Sequence, residues 1–477
     1  MSSVKKNLTY NIVYQILIII IPFITTPYIS RVIGKEGVGI YSYTYSIAHY
    51  FVIFAMLGLN NYGNRIVAKY KDNKEKLSKE FSSLYIFQAI ISIIMIVVYL
   101  IYACFSSEEY RFFSLLQTIY VVSSLFNISW LFFGLENFKF TVVRNVIIKV
   151  LSTLSIFIFV KKADDLYLYI LILVLSNLFT QLALWTRVRK YVKFVKPTLK
   201  DVTKHLKPNL LLFIPVIAVN LYKYMAKIML GNMSDMAQVG LYESAEKIIN
   251  VPLTLIAALG TVMLPRTTNL LSNNQDKQAT KYLEQGILFI IFISLPIIFG
   301  LFAVSDTLVP IYFGKGFEET SILIKILSIS IIFTGIANVI RTQYLIPKER
   351  DKEYILSVFV GFIINLIVNC LLIPKYNAIG AIIGTVCTEI AVCIIQVIFF
   401  KEKVIFSKNA KTIIYFILSS IIMYIVVNVI GKCIENDLVN IIVKVAVGMI
   451  IYFGINFKYI FSMLGGRKKN ELKNANI

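Results

Sequence analysis

Six lysines, Lys149, Lys223, Lys227, Lys247, Lys325 and Lys444, and three glutamates, Glu243, Glu246 and Glu389, interrupt long apolar runs of this 477-residue chain. A lysine at the centre of a membrane-spanning helix costs roughly 2.5–3.5 kcal/mol on insertion scales, so it normally faces a water-filled cavity or a partner. Lys223 and Lys227 stand one helical turn apart, on the face that also carries Asn220. That face is expected to look into an aqueous interior, with Lys149 at comparable depth. Lys247, Lys325 and Lys444 fall nearer helix ends, where a long side chain can instead snorkel to the interface. Buried cations in excess suit an anionic cargo, because a diphosphate offers two or more charges to Lys and Arg and a low dielectric strengthens each contact. Glu389 is a further candidate, the alternative being that Lys227 or Lys149 neutralises it in a structural salt bridge, and Glu243 and Glu246 are likewise candidates for ion pairing or ion coupling.

Tyr41, Tyr45 and His49 recur every four residues, an amphipathic stripe able to meet sugars by stacking and hydrogen bonding. The alternative for the two tyrosines is an interfacial aromatic belt; His49 lies too deep for one, and a packed polar role is its plainer alternative. Arg31, at the outer end of the first apolar run, is a further candidate for the cargo. Expulsion of an anion down a potential negative inside releases about 2.3 kcal/mol per charge per 100 mV. The chain has no Gly-x4-Gly-Lys-Ser/Thr loop, which argues against direct nucleotide drive; the potential alone favours export, with proton or sodium coupling as a further option. No cofactor or metal is expected. The five cysteines carry neither Cys-x-x-Cys spacing nor a companion histidine cluster.

The elements that must position these residues are membrane helices. The chain is 58% hydrophobic and only 16% charged, far from the soluble average of about a quarter charged. Apolar runs begin near Leu8, Val38, Phe81, Phe112, Thr141, Leu166, Pro208, Ala245, Ile287, Thr320, Tyr354, Ala378, Thr412 and Leu438, each long enough to cross a core of about 30 Å. The net charge of +22 sits between these runs, where it serves topology and not nucleic acid. Connections assigned to the cytoplasm hold about 34 Lys and Arg and the outer ones about eight, the asymmetry that orients membrane helices. The expectation is an all-α integral membrane protein of about fourteen spans with both termini cytoplasmic.

Val38-Gly39-Ile40-Tyr41 recurs as Val239-Gly240-Leu241-Tyr242, and Arg65 as Arg266, at one offset of about two hundred residues. Each tetrapeptide opens an even-numbered helix at its outer end, and each arginine closes it, which makes Arg65 and Arg266 candidates for a cytoplasmic gate. Six helices separate the copies, so both face the same way about a pseudo-two-fold along the membrane normal, with a cavity between lobes. The lobes are expected at 1–206 and 207–403, followed by two added helices and a basic tail over 404–477.

Thr25-Thr26-Pro27-Tyr28-Ile29-Ser30-Arg31-Val32-Ile33-Gly34, with Gly37-Val38-Gly39-Ile40-Tyr41-Ser42, resembles the N-terminal signature of the polysaccharide repeat-unit (Wzx-type) flippases. Met56-Leu57-Gly58-Leu59, Tyr62-Gly63-Asn64-Arg65, Val239 to Lys247 and Leu264-Pro265-Arg266 continue the likeness. It implies the multidrug/oligosaccharidyl-lipid/polysaccharide exporter superfamily and alternating access. The implied cargo is an undecaprenyl-diphosphate-linked oligosaccharide for capsule, exopolysaccharide or teichoic acid, carried across the bacterial plasma membrane, with polysaccharide assembly proteins as further partners. Where the family often places an acid before the lysine matching Lys227, this chain has Ala226; the resemblance then implies either that Lys227 is unpaired and open to cargo, or that ion coupling differs. The rival readings are a multidrug extruder, whose cavity would be lined by carboxylates, and a membrane polymerase, which normally needs a larger outer loop with paired acids or catalytic Arg and His.

Overall fold

The computed structural model describes residues 3–400 and 404–461, with side chains from Ile20 onward apart from positions 138, 215, 259, 261, 262 and 404. The basic tail beyond 461 and the side chains of Lys5 and Lys6 lie outside the described residues. Every regular element among those residues is helical. The chain divides into two compact units, residues 1–243 with 373–377, and 244–372 with 378–477.

The first unit holds α1 (Ser3–Met56), α2 (Leu59–Tyr70), α3 (Lys74–Phe105), α4 (Glu108–Ser123), α5 (Ser129–Gly134), α6 (Phe138–Phe159), α7 (Leu166–Tyr191), α8 (Leu199–Thr203), α9 (Leu206–Met233) and the first two turns of α10 (Met236–Ser272). Gly34 breaks α1 at φ 69°, ψ 177°, a backbone region open to glycine and costly to any residue with a Cβ. Asn73 caps α3 by accepting from the Lys76 amide at 3.0 Å, and Thr198 and Asp201 close a reciprocal box over the start of α8. Trp130 on α5 is fully buried, lies against Gly63 of α2 and donates its indole N–H to Gln88 Oε1 at 3.0 Å.

Helix α3 has the polarity of a lipid-immersed element. Its buried side carries Ser78, Ser82, Ser83, Gln88 and Ser92, while Ile90, Ile93, Ile94, Val97 and Ile101 are exposed, the reverse of a soluble helix. Ser78 and Ser82 also hold the segment after α7: the Lys193 amide donates to Ser78 Oγ at 3.0 Å and the Val195 amide to Ser82 Oγ at 2.9 Å.

The second unit continues α10 and adds α11 (Asp276–Phe313), α12 (Thr320–Ser328), α13 (Ser330–Ile340), α14 (Asp351–Phe399), α15 (Val404–Lys408), α16 (Ala410–Gly431) and α17 (Asp437–Ile455). Asn377 breaks α14 at φ 49°. The last two helices pack on α11: Tyr452 donates to the Phe292 carbonyl at 2.8 Å, and the Phe292 ring lies 5.3 Å from that of Phe416.

This is a multi-pass membrane protein. Eleven helical segments among the described residues are long and apolar enough to cross a bilayer, twelve if the bent pair Leu199–Ile214 and Val216–Met233 is one span. Two of them, Ile20–Tyr70 and Asp351–Phe399, run for 51 and 49 residues through the breaks at Gly34 and Asn377. At 1.5 Å per residue each would extend about 75 Å if straight, more than twice the hydrocarbon thickness. Several helices start well before the apolar runs that announce them: α3 at Lys74 and not Phe81, α11 at Asp276 and not Ile287. Hydropathy marks where the chain meets hydrocarbon, but the helix continues into polar surroundings because its hydrogen bonds are internal.

Candidate functional site

The residues of interest in the first unit converge on the part of α1 after Gly34, with α4, α7, α9 and the opening of α10 around it. Tyr41, Tyr45 and His49 lie along one face of α1, half-buried, their rings 5.7 and 5.5 Å apart in sequence order. Three further tyrosines complete a wall. Tyr169 of α7 meets Tyr41 edge-on at 5.2 Å. Tyr120 of α4 stacks on Tyr45 at 5.1 Å, and its hydroxyl lies 2.8 Å from His49 Nδ1. Tyr224 of α9 packs on His49 at 4.5 Å. Such faces and hydroxyls can hold a pyranose by stacking and hydrogen bonding, since each ring has an apolar body and a polar tip.

Next to this wall, Lys227 Nζ lies 2.6 Å from Glu243 Oε2, with both side chains largely buried. Ser42 Oγ donates to the same oxygen at 2.8 Å. Lys227 is thus paired, where the missing acid at position 226 left an unpaired lysine as one expectation; Glu389 accepts from Thr334 Oγ1 at 2.8 Å in the second unit. The acid absent at Ala226 is replaced from the following helix: the second turn of α10 brings the Glu243 carboxylate to the lysine that the local sequence leaves without one.

Lys223 lies on the same helix but is exposed, and with Lys227 it exerts its charge on His49. Lys149, on α6, is half-buried. Neither ammonium has a hydrogen-bond or ion-pair partner among the described residues, so both are able to accept an outside anion. Asn220 is turned to its own helix, donating to the Val216 carbonyl at 2.8 Å. Arg31 is exposed and donates to the Pro27 carbonyl at 2.8 Å. Arg65 is exposed near the end of α2.

In the second unit Lys325 contacts both oxygens of Asp306 at 2.6 Å, a pairing that the apolar pattern around Lys325 does not announce. Lys444 donates to the Ala303 carbonyl at 3.0 Å. Arg266 donates to the Tyr282 hydroxyl, with its guanidinium 4.2 Å from the ring centre. Glu246 and Lys247 are half-buried on α10.

Tyr120, Tyr169, Tyr224 and Ser42 are absent from the sequence-derived candidates. Tyr224 carried a usable signal: it is four residues after Asn220 and three before Lys227, hence on their face. Tyr120 and Tyr169 carried none, since only packing brings α4 and α7 to α1. Arg144, also absent from the sequence-derived candidates, lies inside α6 and is buried, with Nε and Nη2 donating to Asn145 Oδ1 at 3.0 and 2.7 Å.

The profile of the family described as polysaccharide biosynthesis protein matches residues 4–271, and the MatE profile matches residues 212–371. The putative O-antigen transporter of Escherichia coli (strain K12) is 25% identical over 413 residues, covering 84% of this chain and 97% of that one. The capsular polysaccharide biosynthesis protein CapF of Staphylococcus aureus is 25% identical over 411 residues, covering 83% and 99%. Among solved structures, lipid II flippase MurJ in an inward closed conformation matches with a TM-score of 0.71 at 15% identity, covering 93% of this chain and 99% of that one. At that identity the likeness is one of fold.

Proposed function

The chain belongs to the polysaccharide biosynthesis protein family, which matches more than half of its length, and from that premise we propose that it is a flippase for lipid-linked oligosaccharide, a transporter and not an enzyme. The observation that carries the reading is a wall of tyrosines and His49 beside a lysine, Lys223, that has no partner among the described residues. In this reading Lys223 and Lys149 receive the diphosphate of an undecaprenyl-linked saccharide, and Tyr41, Tyr45 and His49 meet its first sugars. The saccharide is a capsule or exopolysaccharide repeat unit or a teichoic acid precursor.

The transport frame is fourteen crossings, obtained by dividing the two overlong segments at Gly34 and Asn377, with both termini cytoplasmic in the bacterial plasma membrane. Two six-helix lobes, 1–206 and 207–403, alternate access, and the helices of 404–477 are added to them. Arg65 and Arg266 guard the cytoplasmic entrance. Glu243, Glu246 and Glu389 are the groups through which a proton or sodium gradient would act.

The test is a strain lacking its own flippase. The parent chain should restore surface polymer, while Lys149→Ala with Lys223→Ala should leave the lipid-linked intermediate on the inner leaflet with the protein still in the membrane. Normal polymer in that double variant would remove both lysines from the cargo site. A multidrug extruder, favoured by the MatE match, would instead confer resistance to cationic dyes; the Lys227–Glu243 pairing, which neutralises one carboxylate that such cargo would use, weighs against it.

A further inference from the structure

An offset of 201 residues maps Lys35 onto Met236, Gly39 onto Gly240 and Ser42 onto Glu243, and the contacts of α1 with α10 obey the same mapping. A Cβ on Gly39 would collide with the carbonyl oxygen of Met236, and a Cβ on Gly240 with the carbonyl oxygen of Lys35. Each contact is the image of the other. Ser42 and Glu243, themselves repeat mates, hydrogen-bond to one another at 2.8 Å, which mates can do only where the two-fold passes between them. A local symmetry axis therefore runs through this crossing, and the two helices meet there backbone against backbone. Only a residue without a side chain allows so close an approach. Two clasps from α1 to α9 flank it: Tyr43 donates to Asn232 Oδ1 and Tyr50 to the Leu221 carbonyl, each at 2.6 Å.

We propose that Gly39 and Gly240 form the outer gate of the transport cycle, a seam closed in this structure that must part for cargo to leave; this rests on the flippase reading. The pairing of Lys227 then acquires a purpose. Lys227 lies on α9, which a turn at Ser234 and Asp235 joins directly to α10, so it travels with Glu243. When the seam parts, Glu243 loses Ser42 across it but keeps its ammonium partner, and no buried carboxylate is left bare.

The experiment uses the full chain with its five native cysteines replaced and Ser46→Cys added as reporter. Ser46 is fully buried one turn below Ser42 and on its face of α1. A membrane-impermeant maleimide is applied to intact cells and, separately, to inside-out vesicles. In cells Gly39→Ala and Gly240→Ala should each raise the labelling rate about tenfold, because the rate follows the open fraction. Gly37→Ala, whose Cβ would meet only the movable Ile33 side chain at 3.1 Å, should label like the parent. Should either glycine variant fail to reach the membrane, Ser42→Ala with Tyr43→Phe removes two bonds across the seam without adding volume and should still raise labelling in cells. Unchanged labelling in cells for the variants that reach the membrane overturns the proposal, as does a rise confined to vesicles, which would put the seam on the wrong side. The flippase reading is scored separately, by polymer restored by the parent chain; if that fails while labelling responds, the seam still opens but the cargo is wrong.

Discussion

Removing one partner of the Lys227–Glu243 pair should cost far more than removing both. The two side chains are 8% and 14% exposed and 2.6 Å apart. A buried pair broken on one side leaves an uncompensated charge, a penalty of about 3–5 kcal/mol, whereas replacing both by neutral groups of similar volume is often near neutral. Lys227→Met or Glu243→Gln alone should therefore lower the folded-to-unfolded ratio in detergent by about two to three and a half powers of ten, at about 1.4 kcal/mol each. Lys227→Met with Glu243→Gln should recover most of it. The assay is denaturant-induced loss of near-ultraviolet signal on the four chains of the cycle, together with polymer export in the strain lacking its flippase. A double variant less stable than either single one would refute the ion-pair reasoning. A stable double variant that exports nothing would show that the pair is needed for transport beyond its mutual neutralisation.

Three other perturbations separate structural from functional roles. Asp306→Asn should change stability by no more than about 1 kcal/mol despite two short contacts to Lys325, because Asp306 is 71% exposed and solvent screens the pair; a loss comparable to that at Glu243, read by the same denaturation, would contradict this. Gly34→Ala should destabilise by about 1–3 kcal/mol although no atom lies within 4 Å of the new methyl group, since the penalty is in the backbone; an unchanged midpoint would count against the break. Tyr120→Phe deletes the hydroxyl facing His49 and keeps the stacked ring. It should leave stability within about 1.5 kcal/mol and reduce export of the native polymer, and full export would take His49 out of the cargo site.

Sequence alone reveals the class of fold because apolar runs and the Lys and Arg asymmetry are consequences of the bilayer, imposed on every helix separately. It does not reveal where one helix ends and the next begins when they share an axis: Gly34 and Asn377 each change direction at a single residue inside a continuous hydrogen-bonded run. The stripe of Tyr41, Tyr45 and His49 was legible because it lies on one helix with a fixed period. Its completion by Tyr120 and Tyr169 was not, since those side chains arrive from other helices. The lysines divide the same way. A charge in an apolar run announces that it must be accommodated, but whether by a carboxylate, as for Lys227 and Lys325, or by open space, as for Lys223, depends on a neighbour that no local pattern specifies.

Helix α3 keeps its hydroxyls inward and its isoleucines outward, so dispersing those isoleucines into lipid tails forfeits nothing that the interior would have given. What holds it in place is close fit and a handful of directional bonds, including those by which Ser78 and Ser82 grip the backbone of the segment at Lys193 and Val195. The usual map of mutational tolerance is thereby turned over. Shuffling Ile93, Ile94 and Val97 among aliphatic types should pass unnoticed, while a single added methyl on the serine row should unseat the strap that runs from α7 to α8.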